Sequence, residues 1–244
     1  MAIASIINGR IKSPRRTLLY GVHGVGKSTW ASQAEKPIFI QTEDGIADLD
    51  CAKFPLAKTY EDVFSNILDL YEEKHDFKTV VVDSLDWLEK LVFKSLCDEQ
   101  GKKNIEDFGY GKGYQIALDK WKTFLDGITA LRNEKNMSVI FLAHGHIERF
   151  ENPETESYDR YAPAFHKKAS AMIQQWCDEV FFASYKVRIK ETTEGMKDRK
   201  RGLQGARYIR TSDSPYCMAK NRLNLPEEIG FNYSDYSALL KGFK

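Results

Sequence analysis

The sequence predicts an α/β fold with a mostly parallel central sheet flanked by helices and a C-terminal antiparallel β extension. Three observations carry that prediction. Apolar runs bounded by turns alternate with helical patterns, which implies right-handed crossovers and a sheet covered on both faces. The first apolar run, Thr17–Tyr20, leads straight into Gly21-Val22-His23-Gly24-Val25-Gly26-Lys27-Ser28 and then into a helix-forming stretch from Thr29 to Ala34. After residue 145 the texture turns polar and aromatic, then β-rich.

Taken in order, Thr17–Tyr20, Pro37–Gln41, Thr79–Asp83 and Ser138–Ala143 read as buried parallel strands. Thr59-Tyr60-Glu61-Asp62 opens a helix with capping-box spacing broken by one step, and Val63, Ile67, Leu68, Leu70 and Tyr71 line its face. A second helix runs from Leu85 to Leu96, with Leu85, Leu88, Leu91, Val92 and Leu96 inward. A third runs from Tyr114 to Leu131, with Ile116, Leu118, Trp121, Phe124, Leu125, Ile128 and Leu131 inward. Ala169 to Glu179 reads as helical, and Val180–Ile189, Ala206–Thr211 and Tyr216–Lys220 as strands. Glu191–Gly205 is charged and glycine-flanked, which suits a mobile hairpin tip.

With 244 residues and 42% hydrophobic content, the chain suits one large domain. It divides into an arm (1–16), a core (17–145), a candidate ligand-facing loop (146–168) and a C-terminal completion (169–244). A net charge of +1 excludes a generally basic nucleic-acid coat, so any such site must be local. The four cysteines are scattered without a C-x-x-C pair, which argues against a zinc site or disulfide frame. No apolar run reaches membrane-spanning length and no signal-peptide layout opens the chain, so a cytoplasmic protein without a membrane partner is expected.

Gly21 to Ser28 match G-x-x-x-x-G-K-[ST] at every fixed position. Strand, glycine loop and helix make a phosphate site, because backbone N–H groups curl round an anion at a helix N-terminus. In that reading Gly21, Val22, His23, Gly24, Val25, Gly26, Lys27, Ser28 and Thr29 hold the nucleotide. Lys27 reaches the β- and γ-phosphates, and Ser28 ligates Mg²⁺. Asp83 ends an apolar strand at the ligand edge and suits the metal's hydration shell, although a helix N-cap is its plain alternative. Glu43, just past the second strand, is placed to polarise an attacking water as general base; an ordinary turn acid is the alternative. His144 ends the fourth strand and suits a γ-phosphate sensor, with His146 a less favoured candidate.

The order of these motifs resembles a RecA-like P-loop ATPase: the loop, then Phe39-Ile40-Gln41-Thr42-Glu43, then Val80-Val81-Val82-Asp83-Ser84, then Phe141-Leu142-Ala143-His144. Within that group the chain is most similar to the short phage-type, or Sak-type, ATP-binding proteins of single-strand annealing and recombination. The resemblance implies a bacterial host cytoplasm, ATP and Mg²⁺ as cofactors, and a DNA-stimulated ATPase. It also implies single-stranded DNA, further copies of the chain in a ring or filament, and a single-strand-binding protein as partners. Ala143-His144 departs from the Asn-Gln usual in recombinases. No helical domain is seen before Thr17 and no lobe after the core, which favours annealing over strand exchange.

The resemblance places two DNA-facing loops. The first spans Asn104 to Tyr114 and offers Tyr110, Lys112 and Tyr114; the second spans His146 to His166 and offers Arg149, Phe150, Arg160 and Tyr161. Aromatics interleaved with cations suit sequence-tolerant single-strand binding. Lys200 and Arg201, in the basic run from Lys197, would follow a phosphate backbone. Lys220 and Arg222, two apart near a late strand, match the pair that RecA-like assemblies direct at a neighbour's γ-phosphate. Two other functions fit the same loop: a small-molecule kinase, and a non-catalytic nucleotide switch or loader for a replication partner.

Overall fold

The computed structural model describes residues 8–9, 11–194 and 197–242; the side chains of 188–202, and so those of Lys200 and Arg201, lie outside that description. The elements are β1 (Arg16–Gly21), α1 (Lys27–Ala31), β2 (Pro37–Gln41), β3 (Ala52–Lys53), α2 (Tyr60–Glu72), β4 (Thr79–Asp83), α3 (Leu85–Glu99), α4 (Lys112–Glu134), β5 (Ser138–Phe150), β6 (Tyr158–Pro163), α5 (Lys167–Trp176), β7 (Glu179–Glu194), β8 (Lys197–Arg210), β9 (Glu228–Gly230) and α6 (Tyr233–Gly242). The sheet runs β3-β2-β4-β5-β1-β7-β8-β9, with β6 paired to the outer half of β5. Pairing is parallel from β3 through to β7 and antiparallel from β7 to β9.

Alternate residues of each central strand enter different cores, as the two-residue period requires. Leu18, Tyr20, Ile38, Ile40, Val80, Val82 and Phe141 pack with helices α2 to α5. Leu19, Phe39, Val81, Ile140 and Leu142 pack on the other face against Trp30 of α1 and Tyr236 of α6. Helix α4 buries Ala117, Trp121, Phe124, Leu125, Ile128 and Leu131, one stripe at helical spacing. Ile116, expected inward, is exposed at the edge of that stripe.

Several sequence expectations change. The box at the start of α2 is intact: Thr59 Oγ1 accepts from Asp62 N and Asp62 Oδ2 accepts from Thr59 N, because Asp62 itself stands at the third helical position. The stretch expected as a loop from residue 146 is largely a β-hairpin, β5 continuing past the sheet to pair with β6. The expected mobile tip is paired strand: β7 and β8 continue in register to Glu194 and Lys197. Tyr216–Lys220 forms isolated bridges, not a strand. Among the described residues, no helix is long and apolar enough to cross a membrane.

The end of the sheet away from the glycine loop is pinned by charge. Arg16 donates from its backbone N and Nε to Asp178 Oδ2, both at 3.2 Å, and from Nη2 to Asp178 Oδ1 at 2.8 Å. Burial alone would raise the Asp178 carboxyl, but the Arg16 hydrogen bonds and the charges of Arg16 and Arg15 outweigh it and hold the group below its ordinary value. A carboxylate so depressed stabilises the fold above its unfolded pKa, and that contribution is lost as pH falls through the folded value. Asp178→Asn should therefore cost about 2–3 kcal/mol at neutral pH, the worth of one charged hydrogen-bond set. The gap between variant and parent should close in acid, below the ordinary value of 3.8. Urea midpoints at both pH values measure it, and a pH-independent gap would contradict the assignment.

Candidate active site

Strand register sets the site. Gln41 pairs with Asp83, Asp83 with Leu142, and His144 with Gly21, so the C-terminal ends of β2, β4, β5 and β1 stand side by side. Ligands bind at that edge of such sheets. Because β5 lies between β1 and β4, it delivers His144 between the glycine loop and Asp83.

A cavity of about 280 Å³ opens there, lined by Gly24, Gly26, Lys27, Ser28, Thr29, Glu43, Asp83 and His144 among others. Gly26 adopts φ +98°, a conformation that suits glycine, and leads directly into α1. Lys27 is buried, and its Nζ donates to the carbonyls of Gly21 and Val22 at 3.3 Å. No carboxylate pairs with it among the described residues. Burial lowers its pKa, against the pull of Asp83, Asp86 and Glu43. Ser28 Oγ donates to Asp83 Oδ2 at 2.6 Å. Burial raises the Asp83 carboxyl, and the nearby charge of Glu43 pushes the same way, while the Ser28 bond opposes both. A buried ammonium and a buried carboxylate with a hydroxyl, both flanking one cavity, fit a polyphosphate with a divalent cation. The helix-cap alternative for Asp83 is not what the structure shows, since Ser84 occupies the N-cap of α3.

Glu43 reaches the same cavity. Ser84 Oγ donates to its Oε2 at 3.1 Å, and His144 Nδ1 lies 3.8 Å from that oxygen. His144 is itself held by Asp86, which accepts from its backbone N and meets its Nδ1, each at 2.9 Å. Burial would raise the Asp86 carboxyl, but the His144 bonds outweigh it and hold the group below the ordinary value. The His144 ring also stacks on His23 at 4.0 Å. Sequence reading missed Asp86 and gave His23 no side-chain role. The available signal was Asp86 three residues after Asp83, in the first turn of the helix behind the metal strand. Glu43, Asp86 and His144 each place one ligand-capable atom within 4.8 Å of the others.

The chain matches the AAA domain family over residues 13–223. It belongs to that family. The matched span contains every residue lining the cavity. A curated relative is the SPbeta prophage-derived uncharacterized protein YorG of Bacillus subtilis (strain 168), 23% identical over 135 residues. That match covers 52% of this chain and 39% of YorG, so this chain spans about two fifths of the relative's length.

The remaining predicted residues lie elsewhere. Tyr110 is fully exposed and Lys112 begins α4 on the surface. The Tyr114 ring is already stacked on His166 at 4.1 Å, and its hydroxyl donates to Glu106. In the β5–β6 hairpin, Glu148 stands opposite Arg160 and Arg149 opposite Asp159. Arg160 Nε donates to Glu148 at 3.2 Å with its guanidinium over Phe150, and Arg149 lies 3.6 Å from Asp159. Tyr161 stacks on Phe182 at 4.7 Å. Glu148–Arg160 and Arg149–Asp159 are cross-strand pairs that a hairpin uses to stabilise itself, whereas the Tyr161 stack ties the hairpin to β7. Arg149, Phe150, Arg160 and Tyr161, expected as DNA contacts, thus each have a partner within the protein.

Lys220 and Arg222 are not among the residues lining that cavity and lie near the start of β7. Lys220 Nζ donates to the carbonyls of Cys177 at 2.7 Å and Gln174 at 2.8 Å, satisfying the C-terminal end of α5. Arg222 is half exposed and touches Asp178 at 3.4 Å.

Proposed function

We propose that this AAA domain is a Mg²⁺-dependent ATPase that hydrolyses ATP through water activated by Glu43 and couples turnover to single-stranded DNA. The observation that carries the hydrolytic part is the convergence of Lys27, Ser28, Asp83, Glu43 and His144 on one cavity. Lys27 would hold the β- and γ-phosphates, and Ser28 and Asp83 would hold the metal. When bound, the metal offsets the negative charge that develops on the phosphates. Glu43 takes the proton from water at Oε2 or its partner oxygen, while Ser84 fixes the carboxylate's orientation. His144, steadied by Asp86, orients the same water or phosphate through its other ring nitrogen.

The DNA part is supported by the RecA-like motif order and by a join between the two predicted contact segments. The Tyr114–His166 stack ties the first turn of α4 to the start of α5, beneath exposed Tyr110 and Lys112. Glu89, one turn beyond Asp86 on α3, accepts the His166 N–H at 2.9 and 3.0 Å, so the join abuts the helix that steadies His144. The prophage origin named for YorG supports the phage link alone; the annealing or recombination role in a host cytoplasm rests on the RecA-like motif order. Head-to-tail copies of the chain and a single-strand-binding protein complete that reading as partners.

The test is ATP turnover with and without single-stranded DNA. DNA-stimulated hydrolysis is expected. Phosphate transfer to a nucleoside, or tight ATP binding without turnover, would replace the reading with a kinase or a switch.

A further inference from the structure

The glycine loop is held from outside as well as lined from within. Tyr185 of β7 and Arg207 of β8 stand directly opposite each other in the antiparallel ladder. Both reach the loop: Tyr185 Oη donates to Gly24 O at 3.0 Å, and Arg207 Nη1 donates to Val25 O at 3.1 Å. The Arg207 guanidinium lies over the Phe231 ring, just beyond β9, at 4.9 Å from the ring centre. A Cβ built on Gly26 would sit 2.8 Å from Arg207 Nη1 and 3.5 Å from Phe231 Cε1. The loop therefore rests on this pair of side chains.

A phosphate loop works by turning successive N–H groups inward. A peptide unit is planar, so holding its carbonyl outward aims its N–H the other way. Tying the carbonyls of Gly24 and Val25 to β7 and β8 presets the N–H groups of Val25 and Gly26 toward the cavity. Preset donors cost no reorganisation when the anion arrives. We infer that Tyr185 and Arg207 are positioning residues for the nucleotide's phosphates, acting in cis through the carbonyls of Gly24 and Val25. They are supplied by β7 and β8, on the other side of β1 from the strands that lead to Glu43 and Asp83. The inference rests on the ATPase reading and names which added residues set its phosphate affinity.

The experiment is titration of Mg-ATP and Mg-ADP into the full chain and into Arg207→Ala, Arg207→Lys and Tyr185→Phe, with steady-state turnover alongside. Arg207→Ala should weaken both nucleotides about tenfold, Tyr185→Phe about threefold, and Arg207→Lys should recover most of the loss. KM for ATP should rise with the dissociation constant while kcat changes less than about threefold. The thermal midpoint without nucleotide should stay within about 2 °C of the parent for Tyr185→Phe, which deletes only a hydroxyl. Its nucleotide-induced shift should shrink. If the parent chain binds no ATP, the ATPase reading itself falls. If the parent binds ATP and both Arg207→Ala and Tyr185→Phe bind it within a factor of two of the parent, the positioning role is wrong. A loss for Arg207→Ala that appears only together with a lowered midpoint, with Tyr185→Phe unchanged, would likewise overturn it.

Discussion

Glu43→Gln should leave the protein able to bind ATP and nearly unable to hydrolyse it. Glutamine keeps the size of glutamate, and its side-chain oxygen can still accept from Ser84 Oγ, which now lies 3.1 Å from Glu43 Oε2. What disappears is the proton acceptor. General base catalysis contributes roughly 10²- to 10⁴-fold, so kcat should fall by about that factor. Affinity should move little, because neither Lys27 nor the Ser28–Asp83 pair is touched. Single-turnover hydrolysis with a parallel binding titration separates the two effects. A variant whose kcat stays within tenfold of the parent would remove Glu43 as the base and leave His144 to be tested next.

Lys27→Ala should act in the opposite way, on affinity first. The ammonium is buried, and that burial depresses its pKa. A base whose folded pKa is lowered costs stability while it carries its charge, and that cost lasts until the pH exceeds its unfolded value. Removing it should leave the nucleotide-free thermal midpoint equal to the parent's or higher. Two charged hydrogen bonds to phosphate, each worth about 1.5–3 kcal/mol, vanish with it. ATP affinity should fall at least 100-fold on the usual conversion of about 1.4 kcal/mol per decade. Calorimetry with and without Mg-ATP reads both quantities at once. Undiminished ATP affinity in a folded Lys27→Ala protein would undo the phosphate site and the functional reading built on it.

Much of the core was legible because buried parallel strands write themselves as short apolar runs. Pro37–Gln41 and Thr79–Asp83 were bounded to the residue, since turns flank them and every interior position packs. Strand β5 was read only to Ala143, because beyond it the sheet's apolar pattern stops. His146, Glu148 and Arg160 look like loop residues until their partners across the hairpin are known. The same holds for Tyr185 and Arg207, whose roles depend on a ladder that brings residues 22 apart face to face. Local motifs found Lys27, Ser28 and Asp83, since each chemistry sits beside its own strand end. Asp86 escaped because its importance comes from His144, 58 residues away. Lys220 and Arg222 drew attention by their spacing and by the pair that RecA-like assemblies carry, and neither signal says that the lysine also meets a helix end.

One strand carries a mechanical consequence. β5 is a member of the parallel sheet up to His144 and of the antiparallel hairpin from Gly145 onward, without a break. Sliding it by one residue would turn its buried side chains to the wrong face in both places at once. Under the proposed mechanism, a γ-phosphate met by His144 would therefore reach the hairpin as a tilt or a twist of the strand and not as a slide along it, so the two ends are expected to move together.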